Sequence, residues 1–214
     1  IQRFREENLT VSAYKYRFYK VLCSGVDRYS AILSGSDQVM NFSFLQHAER
    51  WRMTPSYYLS FAGKETRKIA YAASFGTDKI PDAYADFVKK ELTSFSWVSV
   101  REKSAYTMLK DIGIDSEIVV DPTMLVEKEV YEPFIGRESV KRIGAFSYIL
   151  HKNQVDAQRC ESKIFKMFGE KQTAAGDYSV ENWLRNIRCS AFVITNSFHA
   201  TVFALLFHTP FITV

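Results

Sequence analysis

The sequence predicts an α/β protein with parallel β-sheets whose two faces are both covered by helices. Short β-rich runs alternate with helical patterns along the 214 residues, an alternation that is typical of βαβ units. The β-rich runs are almost continuously hydrophobic, as expected for strands that are buried on both faces. A polar or glycine-containing break follows most of these runs and marks the end of each strand.

The first half of the chain contains four predicted strands. They are expected at residues 29–33, 68–72, 96–100 and 117–120. The breaks that end them are, in order, Ser34-Gly35-Ser36-Asp37, Ser74-Phe75-Gly76, Arg101-Glu102 and Asp121-Pro122. Pro122 ends the fourth strand because proline has no N–H for the ladder of a central strand. A helix is expected from about Lys103 to Gly113, between the third and fourth strands.

Three further strands are predicted in the second half of the chain, at residues 142–150, 191–195 and 211–214. A helical pattern follows the first of them. Ser179 is the predicted N-cap of a helix that runs through Arg188, since a serine oxygen satisfies free N–H groups at a helix start. A last helix is expected from about His199 to Phe207.

The domain boundary is predicted at residues 127–137, which are polar and contain a proline and a glycine. This gives an N-terminal domain of residues 1–135 and a C-terminal domain of residues 136–214, each expected to be partial. Residues 169–177 stand where the pattern requires a strand but contain no apolar run. We therefore expect residues to be missing there, at the N-terminus, and at the C-terminus, where the chain ends inside a predicted strand.

Composition excludes several classes of protein. The net charge of +4 comes from scattered basic residues, which is not the footprint of a nucleic-acid-binding protein. The three cysteines are widely spaced and form neither a disulfide framework nor a metal-ligand pair, so free thiols in the cytoplasm are expected. No apolar run reaches the length of about 18 residues that would span a bilayer, and no signal peptide is recognisable. No glycine-rich phosphate loop occurs, which argues against nucleotide hydrolysis and dinucleotide-dependent chemistry.

The candidate site residues come from the polar breaks. Ligands of open α/β sheets bind beyond the carboxyl ends of the strands, and the breaks fall at those ends. A fifth cluster, Asn196-Ser197-Phe198-His199, follows the strand predicted at residues 191–195. Five polar clusters at matching positions predict a cleft between two sheets. They supply the predicted substrate-binding residues Ser36, Gln38, Ser74, Arg101, Asn196 and Ser197.

Asp37 is the candidate catalytic residue of the first cluster. Gly35 permits a sharp turn, after which Asp37 presents a carboxylate beside Ser36 and Gln38. Such a set can hold a sugar hydroxyl or accept its proton. The alternative is an Asx turn or a helix cap.

Two charged residues follow other strands. Arg101 comes after a buried strand, where a guanidinium can bind a phosphate or carboxylate through two parallel hydrogen bonds. The alternative is an ion pair with Glu102 or with a carboxylate at a helix end. Asp121, which precedes Pro122, is interpreted mainly as the end of a strand.

His199 lies at the start of a predicted helix. The positive end of the helix dipole favours an anion there and pushes the imidazole toward its neutral form until an anion binds. A histidine that gains its proton when a phosphate arrives is a candidate general acid. The alternative is an imidazole that caps the helix or bonds buried backbone. His47 and His151 have no acidic or thiol partners at ligand spacing, so no metal site is predicted.

Several motifs resemble those of the polysaccharide pyruvyl transferase family, and they occur in that family's order. They are GSDQVMN (Gly35 to Asn41), KIAYAASFG (Lys68 to Gly76), SVREKS (Ser99 to Ser104), DPTML (Asp121 to Leu125) and the segment from Ser179 to Ile212 that includes ITNSFHATVF. Each motif is loose by itself, whereas five in register are specific to the family. The resemblance covers the chain from about Gly35 onward.

The resemblance implies two Rossmann-like domains that face across a cleft, as in GT-B glycosyltransferases, with the acceptor on the N-terminal side and the donor on the C-terminal side. It implies transfer of the enolpyruvyl unit of phosphoenolpyruvate onto a sugar, closed as a ketal over two hydroxyls. By position, Arg101 would bind the donor, His199 would be the general acid, and Asp37 would orient or deprotonate a sugar hydroxyl. No cofactor and no metal are expected.

The chain departs from the family's pattern near the histidine. Ser197 and Ala200 stand where characterised members usually carry an arginine and a glycine, and Met40 replaces an aromatic residue. Arg185 or Arg188 is a candidate replacement for the missing cation. Two alternative functions follow: a GT-B-type glycosyltransferase with a sugar-nucleotide donor, and a non-catalytic glycan-binding relative.

The expected partners are a small-molecule donor and a saccharide acceptor that belongs to a polysaccharide or its precursor, with no nucleic acid. The expected location is the cytoplasm, where a lipid-linked acceptor would bring the enzyme to the inner face of the membrane. The sequence does not indicate an oligomeric state.

Overall fold

The computed structural model describes residues 2–11, 19–23, 29–42, 56–135, 141–150, 155–170 and 179–214. The chain divides into two compact units, one of residues 13–122 and one of residues 1–12 together with 123–214. Each unit contains one parallel β-sheet. The first unit ends at Pro122. The division into domains at residues 135 and 136 stays a prediction.

The described residues contain seven strands and eight α-helices. The strands are β1 (Ala31–Ser34), β2 (Arg67–Ala73), β3 (Trp97–Val100), β4 (Glu117–Ile118), β5 (Ala145–Tyr148), β6 (Phe192–Thr195) and β7 (Phe211–Thr213). The helices are α1 (Gln2–Asn8), α2 (Tyr19–Cys23), α3 (Asp82–Leu92), α4 (Lys103–Asp111), α5 (Glu132–Ile135), α6 (Val155–Phe168), α7 (Val180–Arg188) and α8 (Phe198–Leu206). Two 3₁₀ helices, Pro122–Met124 and Lys128–Tyr131, follow β4.

The first sheet has the order β1-β2-β3-β4, and all its strands are parallel. One face of this sheet packs against α3 and α4. The side chains that meet in this core include Ala70, Val98 and Val100 from the strands and Val88, Leu92, Ala105 and Leu109 from the helices. Fully burying an aliphatic side chain contributes about 1.5–3 kcal/mol, so this face holds the sheet and its helices together.

A β-bulge lies in β2, close to its carboxyl end. The pairing of β2 with β3 shifts register between Ala70 and Ala73, and Ala72 has a φ of 51°. The hydroxyl of Ser99 accepts a hydrogen bond from the Ala72 N–H and donates one to the Ala70 carbonyl, each at 3.0 Å. Because a bulge bends its strand, it changes the direction in which the chain leaves β2 at Ser74.

The second sheet has the order β5-β6-β7, also entirely parallel. Its main core contains Ile187 of α7, Val193 of β6, and Phe203 of α8. The N-cap at Ser179 is confirmed, since its hydroxyl accepts a hydrogen bond from the Asn182 N–H at 3.2 Å.

All seven predicted strands are present, although β4 contains only two residues. The α/β class with parallel sheets is thus confirmed. Helix α3 was not predicted individually; Asp82 in its first turn and lysines in its last turn complement the helix dipole. Covering by helices on both faces is confirmed for the second sheet, where Val193 of β6 packs with α7 and α8 and Ile194 of β6 packs with α6. For the first sheet it is confirmed for one face. In the described chain the other face has Leu33 exposed and Tyr71 and Trp97 half-buried.

The segment 169–177 lies mostly outside the described residues. At its start, Glu170 forms an isolated parallel bridge with Ala145, and the Gly169 carbonyl accepts a hydrogen bond from the Ala145 N–H. The chain therefore runs beside β5 at this point. No helix among the residues in the ranges given above is both long and apolar enough to cross a membrane.

Candidate active site

Polar side chains that follow three strands of the first sheet meet at the carboxyl ends of those strands. Ser36 and Asp37 follow β1, Arg101 and Glu102 follow β3, and Asp121 comes shortly after β4. We call these five residues the carboxyl-edge cluster. They come together because parallel strands all end at the same edge of their sheet.

Arg101 lies at the centre of the carboxyl-edge cluster, with a side chain that is only 7% exposed. Its Nη1 lies 2.9 Å from Asp121 Oδ2. Its Nη2 lies 3.7 Å from Asp37 Oδ1, and its Nε lies 3.7 Å from Glu102 Oε2. Three carboxylates therefore surround one guanidinium, and the ion pair with Glu102 that the sequence offered as an alternative is observed.

Asp121 makes the shortest of these ion pairs and is itself 2% exposed. Its Oδ2 also accepts the hydrogen bond of the Ser36 hydroxyl, and Arg101 Nη1 lies 3.2 Å from the same hydroxyl oxygen. A buried carboxylate is costly unless a cation and hydrogen bonds compensate it. Sequence reasoning interpreted Asp121 as a strand end and missed this role. The available signal was its position at the same sheet edge as Arg101.

Asp37 has an exposed carboxylate on an unusual backbone. Its φ is 96°, a region that residues with a side chain rarely occupy, and its side chain is 67% exposed. Its carbonyl accepts hydrogen bonds from the Val39 and Ser74 N–H groups at 2.7 and 2.9 Å. Its Oδ1 accepts one from the Gln38 N–H at 2.8 Å. The carboxylate thus bonds the backbone N–H of the next residue and also faces Arg101.

The loop after β2 packs closely against the loop after β1. Gly76 has a φ of 61°, and a Cβ at this position would lie 2.6 Å from Gln38 Cδ. Gln38 Oε1 accepts a hydrogen bond from Asn41 Nδ2 at 2.7 Å. The buried Ser74 accepts one from the Gly76 N–H at 3.2 Å. A side chain at this position would adopt a strained backbone conformation and would displace the ends of the Gln38 and Asn41 side chains.

Glu102 links the arginine to this loop. Its Oε1 accepts a hydrogen bond from the Phe75 N–H at 3.0 Å, while its Oε2 faces Arg101 Nε. Phe75 is completely buried in the core of the first unit. The Glu102 carboxylate therefore links Arg101 to the backbone of a core residue, Phe75.

The second unit holds the remaining predicted site residues at the carboxyl end of β6. Asn196 accepts a hydrogen bond from the Leu150 N–H and donates one to the Leu150 carbonyl, both at 2.7 Å. Ser197 is the N-cap of α8, with its hydroxyl 3.4 Å from the Ala200 N–H. These two side chains therefore fix the turn between β6 and α8.

His199 is the second residue of α8 and is half-buried. Its ring lies edge-on to the ring of Phe198, with the centroids 5.4 Å apart. Because His199 lies in the first helical turn, its imidazole is close to the positive end of the helix dipole. Of the two candidate replacement cations, Arg185 is exposed and donates a hydrogen bond to Asn182 Oδ1 at 3.1 Å.

The structure thus brings the predicted site residues together in two groups. Ser36, Asp37, Gln38, Ser74 and Arg101 gather at the carboxyl edge of the first sheet. Asn196, Ser197 and His199 gather at the carboxyl edge of the second. Among the described residues, no group of three histidine, cysteine or acidic side chains could hold a metal ion.

Parallel α/β sheets with charged and polar side chains at their carboxyl edges define a class of ligand-binding proteins that includes many group-transferring enzymes. The family model described as polysaccharide pyruvyl transferase matches residues 2–214, so the chain belongs to this family. At the family level it is a transferase that acts on a polysaccharide. No curated protein and no solved structure matches the chain.

Proposed function

We propose that the protein transfers the enolpyruvyl unit of phosphoenolpyruvate onto a saccharide and closes it as a pyruvate ketal over two hydroxyls. The observation that carries this proposal is the family match over residues 2–214. We further propose the GT-B-like arrangement that the resemblance implies, with both carboxyl edges serving one reaction. The proposed reaction needs no cofactor besides its donor substrate.

The reaction divides into proton transfers that the candidate residues can perform. His199 gives a proton to the methylene carbon of phosphoenolpyruvate, and a sugar hydroxyl adds to the adjacent carbon while Asp37 takes the hydroxyl proton. A second hydroxyl then displaces inorganic phosphate, and its proton leaves with the phosphate. Asp37 then releases its proton to water and His199 takes one from water, so that the two hydroxyl protons balance the new methyl hydrogen and the phosphate proton.

Several features of the structure support these roles. Asp37 has an exposed carboxylate that a sugar hydroxyl can reach. His199 lies in the first turn of α8, where the helix dipole favours a bound phosphate. Arg101 is proposed to bind the donor through Nη2 and Nε, which face the solvent-accessible carboxylates of Asp37 and Glu102 at 3.7 Å.

The other predicted residues are proposed to line the substrate sites. Gln38 is exposed beside Asp37 and is proposed to bind a sugar hydroxyl. Ser36, Ser74, Asn196 and Ser197 hold the loops that surround the sites. Their substrate contacts would be made by atoms that their internal hydrogen bonds leave available, or by the neighbouring backbone.

The test is incubation of the purified protein with phosphoenolpyruvate and a panel of glycosides. Phosphate release and a saccharide that has gained one pyruvate ketal by mass are the expected results. A nucleotide sugar in place of phosphoenolpyruvate should give no product. Transfer from the nucleotide sugar alone, or no transfer with any acceptor, would overturn the proposal.

His199→Gln is the sharpest variant, because it keeps the size and polarity of the side chain but cannot protonate carbon. General acid catalysis contributes about 10²–10⁴-fold, and we expect a loss of that order in kcat. His208→Gln is the matched control, since His208 lies in the turn before β7. A His199→Gln variant with unchanged kcat would show that this imidazole is not the acid.

A further inference from the structure

We propose that Asp121 and Ser36 are positioning residues that fix the guanidinium of Arg101 from one side. They hold its Nη1 end, so that the Nη2 and Nε edge is presented to an anion. This inference rests on the proposed function, in which Arg101 binds the donor. It assigns a role to Asp121, and it gives Ser36 a role other than direct contact with substrate.

The three ion pairs of Arg101 described above differ in length and burial, and we call the shorter, buried one the firm group and the two longer ones the loose group. The firm group is buried: Asp121 lies 2.9 Å from Nη1 and its side chain is 1% exposed. The loose group lies nearer to solvent, with Asp37 and Glu102 at 3.7 Å and with side chains 67% and 29% exposed. A ligand anion can replace the loose contacts, whereas the buried contact stays in place.

The Ser36 hydroxyl helps to fix the position of Arg101 Nη1 beside Asp121. A hydroxyl has one proton to donate, and that of Ser36 goes to Asp121 Oδ2. Arg101 Nη1 lies 3.2 Å from the Ser36 oxygen and 2.9 Å from the Asp121 oxygen. The three polar groups form a closed triangle that determines where Nη1 lies, and the planar guanidinium then determines the position of its other nitrogens.

Neutralising Asp121 distinguishes a role in positioning Arg101 from an effect of the Asp121 charge on anion binding. Asp121→Asn removes one negative charge beside the guanidinium and keeps the shape of the side chain. If Asp121 acted only through its charge, the variant would bind anions more tightly, because a source of repulsion has been removed. If Asp121 positions Arg101, the variant binds them more weakly. The two explanations therefore differ in the sign of the effect.

The first experiment measures KM for phosphoenolpyruvate and kcat in the wild type, in Asp121→Asn and in Ser36→Ala. A hydrogen bond to a charged group corresponds to about ten-fold or more in affinity, and we expect KM to rise by about that factor in Asp121→Asn. Glu117→Gln is the control, since it removes an exposed charge that bonds the Trp97 indole. An unchanged or lower KM in Asp121→Asn would overturn the proposal.

The second experiment needs no substrate. In ¹⁵N NMR spectra, the Nε–H of Arg101, assigned by its disappearance in Arg101→Lys, should exchange slowly with water and show restricted rotation of the Nη groups. Both properties should be lost in Asp121→Asn. If that variant does not fold, Ser36→Ala supplies the same comparison, with a smaller loss expected. Unchanged restriction in a folded variant of either residue would overturn the proposal.

The two experiments distinguish failure of this inference from failure of the proposed function. A wild-type protein that neither binds nor converts phosphoenolpyruvate would refute the proposed function, whereas the NMR comparison would still decide whether Asp121 positions Arg101. Conversely, normal turnover in the wild type together with an unaffected guanidinium in Asp121→Asn would leave the proposed function standing and remove the positioning role.

Discussion

Asp37 should carry backbone strain that a glycine would relieve. Its φ of 96° is accessible to glycine without steric penalty but is unfavourable for any residue with a Cβ. We therefore compare two substitutions, Asp37→Gly and Asp37→Ala. Both remove the carboxylate, so both lose its hydrogen bond to the Gln38 N–H and its ion pair with Arg101. They differ only in the Cβ.

The expected difference follows from two opposing terms. A residue held in a sparsely populated backbone region costs about 1–3 kcal/mol, and Asp37→Gly recovers this strain while Asp37→Ala retains it. Glycine in turn makes the unfolded chain more flexible, which lowers stability by about 0.4–1 kcal/mol. The glycine variant should therefore be more stable than the alanine variant by about 1–2 kcal/mol.

Thermal and urea unfolding of the two variants side by side is the assay. In a chain of this length, 1 kcal/mol corresponds to about 2–4 °C in Tm, so the glycine variant should melt about 2–8 °C above the alanine variant. Both variants should lose transfer activity to the same extent, because neither has the carboxylate. An alanine variant as stable as the glycine variant would refute the claim that the backbone at Asp37 is strained.

Two further predictions concern the surroundings of the site. Gly76→Ala should destabilise the protein by about 1–3 kcal/mol, because it combines a positive φ with a Cβ that would lie 2.6 Å from the Gln38 amide. Gly169→Ala is the control and should cost less in the same thermal unfolding assay, since Gly169 has a φ of 72° but no atom of the described residues lies within 4 Å of its Cβ position. Burial raises the pKa of Tyr58, with a smaller contribution from Glu91, so the folded protein favours the protonated phenol. The free energy of unfolding should fall above about pH 10, where the unfolded chain loses this proton first, by about 1.4 kcal/mol per pH unit from this group. Tyr58→Phe should remove that part of the slope in urea titrations at alkaline pH, and an unchanged slope would contradict the assignment.

Much of the local structure could be predicted because its causes are local. The strands lie within hydrophobic runs, and turn residues mark where most of them end. The helix after Ser179 begins where the serine hydroxyl is available as a cap. The grouping of polar residues at the sheet edges also follows from sequence, because parallel strands must end together. Helix α3 was not predicted individually because none of the motifs lies in it. The charges that complement its dipole, Asp82 in the first turn and Lys89 and Lys90 in the last, are nevertheless visible in the sequence.

The α/β class, the seven strands, and the polar residues that reach a carboxyl edge could be predicted without the fold, because hydrophobic periodicity and capping act over a few residues. The pairing of Asp121 with Arg101 and Ser36, and the positive φ of Asp37, could not be predicted in this way. Those outcomes depend on burial and on partners from other strands: a carboxylate becomes a structural ion pair only when neighbours distant in sequence exclude water and supply a cation. The sequence therefore gives the chemical type of each side chain, whereas its structural or functional role depends on the residues that folding places beside it.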